Sequence, residues 1–394
     1  MTDWNQFKGD PHHSGLRRDL EGPDRVTKAW TADLAGPAGT PVLDRDTVFV
    51  GTSAGNCYAL ERETGRKRWS VETTASTDAA PVVTRDLLYF GTGEGTVRAL
   101  DPGTGEERWE TELEGALESP LALSDGLLYA GHAAGLSALE AETGARVWAH
   151  ETDAPVAGAP AVDRDADRDR RGWGQERDET EIDLLSLDDA EMDERASDQD
   201  RVYAGTADGT VLALEAETGE ELWDAPTGGA VVDGPTVVGE RVYVADDGGT
   251  LVALHADDGQ SWFSYGTEDG FTSSPTVLPE IDTTFVGAGD GYLHVTDTTF
   301  GRRKLRGWLF SKQGVALDGP VRSSPVVAGD ICCVGDAAGS LYGVDVGDDC
   351  DLEWHYRLES AVSGTPALGD GRLFVGSEDG HLHCLEWGSG ESSR

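Results

Sequence analysis

The chain has 394 residues, enough to bury a large core, and it contains no apolar stretch long enough to predict a membrane-spanning helix. Asp and Glu number 74 against 31 Lys and Arg, which gives a formal net charge of -43. Because phosphate contacts need a basic surface, this charge excludes nucleic acid as an expected partner. A surface so acidic repels itself in dilute buffer and is screened in concentrated salt, so the composition predicts a protein from a halophile.

Residues 1–25 are polar and show no periodic pattern. We expect an irregular segment there, with His12 and His13 exposed to solvent. The first residues also lack a basic region followed by an apolar run, as an export signal would require. The expectation is therefore a cytoplasmic protein, or an exported one if the true start of translation lies elsewhere.

Two incomplete fragments of a repeat lie near the ends of the chain. Residues 26–30, ending at Trp30, read as the last strand of a unit whose front is missing. Residues 384–387 end a unit whose last strand is missing. We therefore expect the strand at Trp30 to complete the final unit and close a ring, which removes an open sheet edge.

The pattern Ala-x-acidic-x-x-Thr-Gly-x-x-x-Trp occurs at 59–69, 99–109, 138–148 and 213–223. Glycine in the Thr-Gly step supplies a positive φ for a tight turn, and these glycines are Gly65, Gly105, Gly144 and Gly219. Tryptophan is a large apolar plate with one N–H donor. One copy cannot bury such a surface alone, so the copies are expected to stack.

Eight units of about 40 residues follow from two landmarks, each present eight times. The first is a proline before apolar residues, at Pro41, Pro81, Pro120, Pro160, Pro235, Pro275, Pro325 and Pro366. The second is a tryptophan at the end of a unit, at Trp30, Trp69, Trp109, Trp148, Trp223, Trp262, Trp308 and Trp354. Four short strands with glycine turns fit each unit. The sequence predicts an all-β fold, a single eight-bladed β-propeller of four-stranded blades over residues 26–387.

Residues 163–200 interrupt the fourth unit between its first and second strands. They carry 16 Asp and Glu and 6 Arg, with too little apolar surface to order themselves, which predicts a disordered acidic insertion. We interpret it as a tolerated surface insertion. The alternative is a partner-binding segment that folds on contact, through Ile182, Leu184, Leu185 and Leu187. A flexible tail is expected over 388–394.

The repeated pattern resembles the tryptophan-docking motif of the PQQ-repeat propellers. That family includes quinoprotein alcohol dehydrogenases and the non-enzymatic BamB-type proteins of outer-membrane assembly. The resemblance runs from Trp30 to Trp387 and implies the eight-bladed fold. Together with the acidic composition it suggests a haloarchaeal member. Since one fold hosts unrelated activities, the resemblance does not choose between an enzyme and a binding protein.

Few residues suggest chemistry. The dehydrogenases that the chain resembles often carry adjacent cysteines in a disulfide, and Cys332-Cys333 is such a pair; its place in an apolar strand predicts core packing instead. His381 and His383 lie on one side of a strand, but two histidines are fewer than a metal site needs, so no metal is predicted. No stretch matches the catalytic base or calcium ligands of the dehydrogenases, and no catalytic residue is assigned.

The leading hypothesis is a non-catalytic, monomeric scaffold without a cofactor that binds a protein partner not yet identified. One alternative is a PQQ-dependent alcohol or sugar dehydrogenase, with quinone and calcium near the central channel. The other is a sensor that binds a small ligand or sugar in the central funnel, because concave sites are where small ligands bind.

Overall fold

The computed structural model describes residues 4–164, 200–305, 313–347 and 349–388. Within these ranges the regular structure is β, apart from two short 3₁₀ helices at Phe7–Gly9 and Pro279–Ile281. Eight sheets form eight blades, so the predicted eight-bladed propeller of four-stranded blades is confirmed. In the part of the chain described, no helix is long and apolar enough to cross a membrane.

Two strands, β1 (Leu16–Arg17) and β2 (Thr27–Asp33), precede the repeats. Blades one to four hold β3–β6 (Val42–Asp44, Thr47–Gly51, Asn56–Glu61, Lys67–Glu72), β7–β10 (Val82–Val83, Leu88–Gly91, Thr96–Leu100, Glu107–Glu112), β11–β14 (Ala122–Ser124, Leu127–His132, Gly135–Glu140, Arg146–Glu151) and β15–β18 (Val156–Asp163, Arg201–Thr206, Thr210–Glu215, Glu221–Pro226). Blades five to eight hold β19–β22 (Thr236–Val238, Arg241–Ala245, Thr250–His255, Ser261–Gly266), β23–β26 (Thr276–Leu278, Thr283–Gly287, Tyr292–Thr296, Gly314–Ala316), β27–β30 (Val326–Ala328, Ile331–Gly335, Ser340–Asp345, Leu352–Arg357) and β31–β33 (Ala367–Gly369, Arg372–Gly376, His381–Glu386). The first strand of each blade lies nearest the axis and contacts the first strand of the next blade at several points around the ring.

The ring closes as predicted. Strand β2 pairs antiparallel with β33 and becomes the fourth strand of blade eight, with Trp30 opposite Cys384 and Asp33 opposite His381. We call this β2–β33 pair the seam. It joins the two ends of the propeller, so no blade is left with a missing outer strand.

The repeated tryptophans contact the turn of the following blade. Trp69 donates its Nε1–H to the Pro102 carbonyl at 3.0 Å and lies against Gly105, whose φ is +74°. A Cβ on that glycine would lie 2.9 Å from the indole, so both the turn and the close approach require glycine. The same pairing joins Trp30 to Gly65, Trp109 to Gly144, Trp148 to Gly219 and Trp223 to Gly259.

Blade five departs from the sequence interpretation. Phe263, not Trp262, lies opposite Ala253 and against Gly301 of the next blade. The spacing could have revealed this, because Ala253 to Phe263 is the same interval as Ala213 to Trp223. Trp262 instead points outward and is 44% exposed.

The last two predicted tryptophans differ from the others. Trp308 lies outside the described residues. Trp354 lies opposite Gly343 and is buried, but its Nε1 has no hydrogen-bond acceptor among the described residues. Blade eight receives its fourth strand from β2 and not through a hairpin, so it has no Thr-Gly turn to offer the carbonyl that the other tryptophans use.

The acidic insertion separates β15 from β16. Its residues 165–199 lie outside the described part of the chain, and with them the predicted partner segment of Ile182, Leu184, Leu185 and Leu187. The same is true of residues 389–394 in the predicted tail.

Candidate functional site: the axial channel and an exposed aromatic patch

The N-terminal segment, residues 4–17, fills the central channel. Its carbonyls accept backbone hydrogen bonds from the innermost strands of five blades: Trp4 from Leu43, Asn5 from Val83, Pro11 from Val162, His12 from Val237 and Gly15 from Val327. Side chains of the segment reach the other three blades: Gln6 to Leu123, Lys8 to Pro275 and Arg17 to Leu368. The segment therefore contacts all eight blades. We call it the axial segment.

The axial segment provides hydrogen-bond partners for the inner edges of the blades. The innermost strand of each blade has an edge of N–H and C=O groups that faces the axis and pairs with no other strand of its blade. Such groups are costly when buried without partners. The axial segment supplies these partners, and β1 even adds a parallel strand beside β27.

The prediction that His12 and His13 lie in solvent is wrong, because they are 2% and 1% exposed. His13 Nδ1 lies 2.8 Å from the Pro235 carbonyl, and burial lowers the pKa of His13 to about 4. His12 Nε2 lies 3.5 Å from an Asp163 carboxylate oxygen. Polar composition suggested exposure, but the channel wall is itself polar and accepts polar side chains.

Lys8 is fully buried at the centre of the axial segment. Its Nζ donates to the Pro275 carbonyl at 2.6 Å and to Ser274 Oγ at 3.2 Å. Burial lowers the pKa of Lys8 to about 7, an effect that the carboxylates of Asp10 and Asp233 partly oppose. The burial of Lys8 was not predicted from the sequence, since the residue stands in a polar stretch.

The lowered pKa of Lys8 predicts a pH-dependent stability. In the unfolded chain Lys8 titrates near its ordinary value of about 10.4, so between pH 7 and 10 the unfolded state binds a proton that the folded state lacks. The free energy of unfolding should therefore rise with pH over this window, relative to a Lys8→Met variant, by at most about 1.4 kcal/mol per pH unit. Urea unfolding of both proteins at fixed salt measures the difference. If the free energy of unfolding changed equally with pH in the wild type and in Lys8→Met, Lys8 would not be buried.

A funnel of about 340 Å³ opens at the axis beside the axial segment. Its lining includes Phe7, the carboxylates of Asp78, Glu118 and Asp233, and the guanidinium of Arg322. Asp233 is half-buried in a left-handed conformation, with φ +54°, and accepts a hydrogen bond from Ser324 Oγ at 2.9 Å. Burial raises the pKa of Asp233.

The axis does not fit a quinone cofactor. PQQ is a flat polycarboxylate, so it would need open space and an excess of cationic groups. Residues of the axial segment occupy the channel, and the funnel presents three carboxylates against one guanidinium. Like charges facing a polyanion disfavour its binding.

The cysteine pair belongs to the core. Cys332 packs with Val327 in one apolar cluster and Cys333 packs with Val326 in another, on opposite faces of the sheet. All five cysteines are free thiols, and burial raises the pKa of Cys333 to about 12. Cys333 stands where blades one to six and blade eight carry an aromatic residue, so it fills a packing position.

An exposed aromatic patch lies on the outer rim between blades five and six. It consists of Trp262, Phe300, Arg241 and Arg302, and its two rings are 44% and 60% exposed. The Arg241 guanidinium lies 4.1 Å from the centre of the Trp262 ring, and that of Arg302 lies 4.6 Å from the Phe300 ring. Trp262 Nε1 donates to the Thr299 carbonyl at 2.7 Å, which fixes the indole across the two blades.

The repeats that build this channel and rim match a known family. The family model described as outer membrane protein assembly factor BamB matches residues 23–101, 93–166 and 164–394. This chain belongs to that family. The BamB family thus covers nearly all of the propeller, and the resemblance read from the repeated tryptophans is confirmed for the family.

Two solved structures show the same architecture. BamB from Moraxella catarrhalis is 19% identical with a TM-score of 0.66, over 92% of this chain and 100% of that one. Quinohemoprotein alcohol dehydrogenase from Comamonas testosteroni is 13% identical with a TM-score of 0.71, over 98% of this chain and 80% of that one. At these identities the likeness shows the fold alone.

One curated sequence relative is a quinohemoprotein alcohol dehydrogenase from Comamonas testosteroni. It is 57% identical over 35 residues, which is 9% of this chain and 5% of that enzyme. This chain therefore aligns with only a small part of the enzyme's length, comparable to a single blade.

Proposed function

We propose that this member of the BamB family is a non-catalytic propeller, without a cofactor, that binds a protein partner in concentrated salt. The observation that carries the proposal is the aromatic patch. Exposed tryptophan and phenylalanine rings flanked by arginines are the side chains most enriched at the centres of protein interfaces. On a chain of net charge -43 they place two guanidinium groups beside exposed rings, with the carboxylates of Asp297 and Asp282 bonded to Phe300 and Thr299 close by.

The filled channel supports a role at the surface. A reaction site inside the ring would need reactants to reach it, whereas the axial segment bonds to all eight blades there. The enzymatic alternative is supported by the fold likeness to quinoprotein dehydrogenases and by the sequence match over 35 residues. We propose a monomeric propeller in the cytoplasm of a halophile, with the outer rim as its working surface.

The two arginines suggest the chemistry of the partner. Arg241 and Arg302 stack on the exposed rings; Arg241 also donates to the Thr298 carbonyl at 2.9 Å, whereas Arg302 is exposed and can pair with a carboxylate of the partner. We therefore expect the partner to offer an apolar side chain flanked by Asp or Glu. Contacts of this kind persist in salt because the aromatic burial does not depend on charge.

The test is co-purification from the source organism in molar potassium chloride, with mass spectrometry of the recovered proteins. A Trp262→Ala/Phe300→Ala double variant should recover a stoichiometric partner at least tenfold less well than the wild type. The matched control is Val147→Ala/Leu352→Ala, which removes two equally exposed apolar side chains elsewhere and should recover the partner normally. Equal recovery by both variants, or recovery of the propeller alone in every case, would contradict the proposal.

A small-ligand sensor is the second candidate, and the funnel favours it. Its size falls within the usual range of small-molecule sites, and its carboxylates suit an organic cation better than a sugar. Isothermal titration with diamines and with neutral sugars separates these ligand classes. If neither class binds below about millimolar concentration, the candidate is dropped.

A further inference from the structure

Two histidines of blade eight face the seam, where the start and the end of the propeller meet. His381 and His383 lie on the same side of β33, with their ring centres 5.8 Å apart. Across the seam His381 stands opposite Asp33 and His383 stands opposite Thr31. Residues directly opposite in an antiparallel pair share a face of the sheet, so β2 contributes a carboxylate to the side where the imidazoles lie.

Carboxylates flank both nitrogens of His381. Its Nδ1 lies 2.9 Å from Asp379 Oδ1, and its Nε2 lies 3.0 Å from Asp33 Oδ1. The Nδ1 atom is buried, and the Asp379 carboxylate is its close neighbour. The ion pair raises the pKa of His381, with the Asp379 carboxylate as the largest cause.

His383 completes the group. One ligand atom each from Asp379, His381 and His383 lies within 4.8 Å of the others. His383 is buried, and in the described part of the chain its nitrogens lie 3.0 Å from Ser377 Oγ and 3.3 Å from Thr31 Oγ1. One hydroxyl would give way to the ion and the other would stay on the second nitrogen. A ligating histidine usually has such a polar neighbour to orient its ring.

The same turn in blade four shows which parts are structural. Thr206 and Asp208 take the places of Ser377 and Asp379, with the hydroxyl donating to the carboxylate at 2.5 Å, as Ser377 does at 2.6 Å. The positions of the two histidines are Thr210 and Leu212 in blade four, which make the same turn without any imidazole. The hydroxyl–carboxylate pair therefore belongs to the turn, whereas the two imidazoles are not needed for it.

We propose that Asp379, His381 and His383 bind a divalent transition metal ion, with Asp33 from across the seam holding the other nitrogen of the His381 ring. Two imidazoles and one carboxylate, with water as a fourth ligand, are a donor set that suits Zn²⁺. Metal–ligand bonds of about 2.0 Å place the ligand atoms roughly 3.3 Å apart, so the three side chains would adjust on binding. Because Asp33 orients His381 from β2, the ion would strengthen the contact between the two strands of the seam.

This site explains why the sequence alone predicted no metal. Two histidines were visible in the pattern, but Asp33 is distant in sequence and becomes a neighbour only through ring closure. Asp379 stands in an Asp-Gly hairpin turn, which accounts for an acidic residue there without a metal. The contact between Asp33 and His381 comes from the fold.

The experiment is a titration of zinc chloride into the full chain after treatment with EDTA, followed by calorimetry and by thermal unfolding. The wild type should bind one equivalent, and an excess of hundredfold over Kd should raise the unfolding midpoint by roughly 3 °C. A His381→Thr/His383→Leu variant, which installs the blade-four side chains, should fold normally and bind at least tenfold more weakly. Cobalt should give the ligand-field absorption of a four-coordinate site in the wild type and lose it in the variant.

His150→Gln is the matched control, since it removes a partly exposed histidine that also lies near a carboxylate, at 3.4 Å from Glu221. It should bind zinc as the wild type does. The proposal is overturned if the blade-four variant keeps wild-type affinity, if the control loses as much affinity as that variant, or if the wild type shows no one-equivalent binding below about millimolar zinc.

Discussion

Replacing Trp4 by alanine should lower the free energy of unfolding by about 3–5 kcal/mol, the usual cost of deleting a large buried aromatic side chain. Trp4 is 1% exposed and packs in the core cluster that spans blades seven, eight and one. Its carbonyl also accepts the backbone hydrogen bond of Leu43. The substitution therefore tests whether the axial segment is part of the core. Urea unfolding at constant salt gives the measurement.

Trp4→Phe is the control for this prediction. The Nε1 of Trp4 is buried without an acceptor in the described structure, so phenylalanine keeps much of the apolar contact and removes an unsatisfied donor. We expect it to cost clearly less than the alanine variant, by at least about 1 kcal/mol. If Trp4→Ala stayed within about 1 kcal/mol of the wild type, the segment would not lie in the channel.

Phe263→Ala should also cost about 3 kcal/mol or more, whereas Trp262→Ala should cost about 1 kcal/mol. Phe263 is 8% exposed, faces Gly301 of the next blade and pairs with Tyr243 at 6.2 Å. Trp262 loses one hydrogen bond and one stacked arginine, both at a half-exposed site. Thermal and urea unfolding of the two single variants make the comparison.

Trp148→Ala provides the reference, because Trp148 occupies the same place in blade three and contacts Gly219 of the next blade. Trp148→Ala should lower the free energy of unfolding by about as much as Phe263→Ala does, and by more than Trp262→Ala does. The opposite order, with Trp262 the costlier residue, would restore the interpretation drawn from the sequence and would also weaken Trp262 as a binding residue.

The sequence was sufficient for the architecture because each blade repeats its own local chemistry. The Thr-Gly turn and the tryptophan it supports recur at a fixed interval, and the fragments at Trp30 and Trp387 show how the ring closes. Such features depend on neighbours within one or two blades. In blade five the aromatic residue that packs against the next blade is Phe263. The presence of a tryptophan led to the wrong prediction of Trp262, whereas the interval from Ala253 would have indicated Phe263.

The candidate sites could not be predicted from the sequence, because they depend on contacts between distant residues. The axial segment lies in the core because eight strand edges converge on one line, a property of the closed ring that no local stretch carries. In the same way, His381 meets Asp33 only after closure. The sequence predicted that Trp262 packs against the next blade. Because Phe263 takes that position, Trp262 is exposed, and the aromatic patch was not predicted. A repeated sequence pattern predicts local structure, but it does not predict which distant residues become neighbours.

The measurement that tests the account most directly is hydrogen–deuterium exchange of the peptide covering residues 4–17 in the native protein. This segment lies in the channel and bonds to the blades through its carbonyls and side chains, so its own amides are shielded from water. We expect exchange as slow as that of the innermost strands, over hours, and we assign binding to the outer rim. Exchange within seconds would show a channel open to solvent, which would contradict the account and return the quinone and ligand alternatives to consideration.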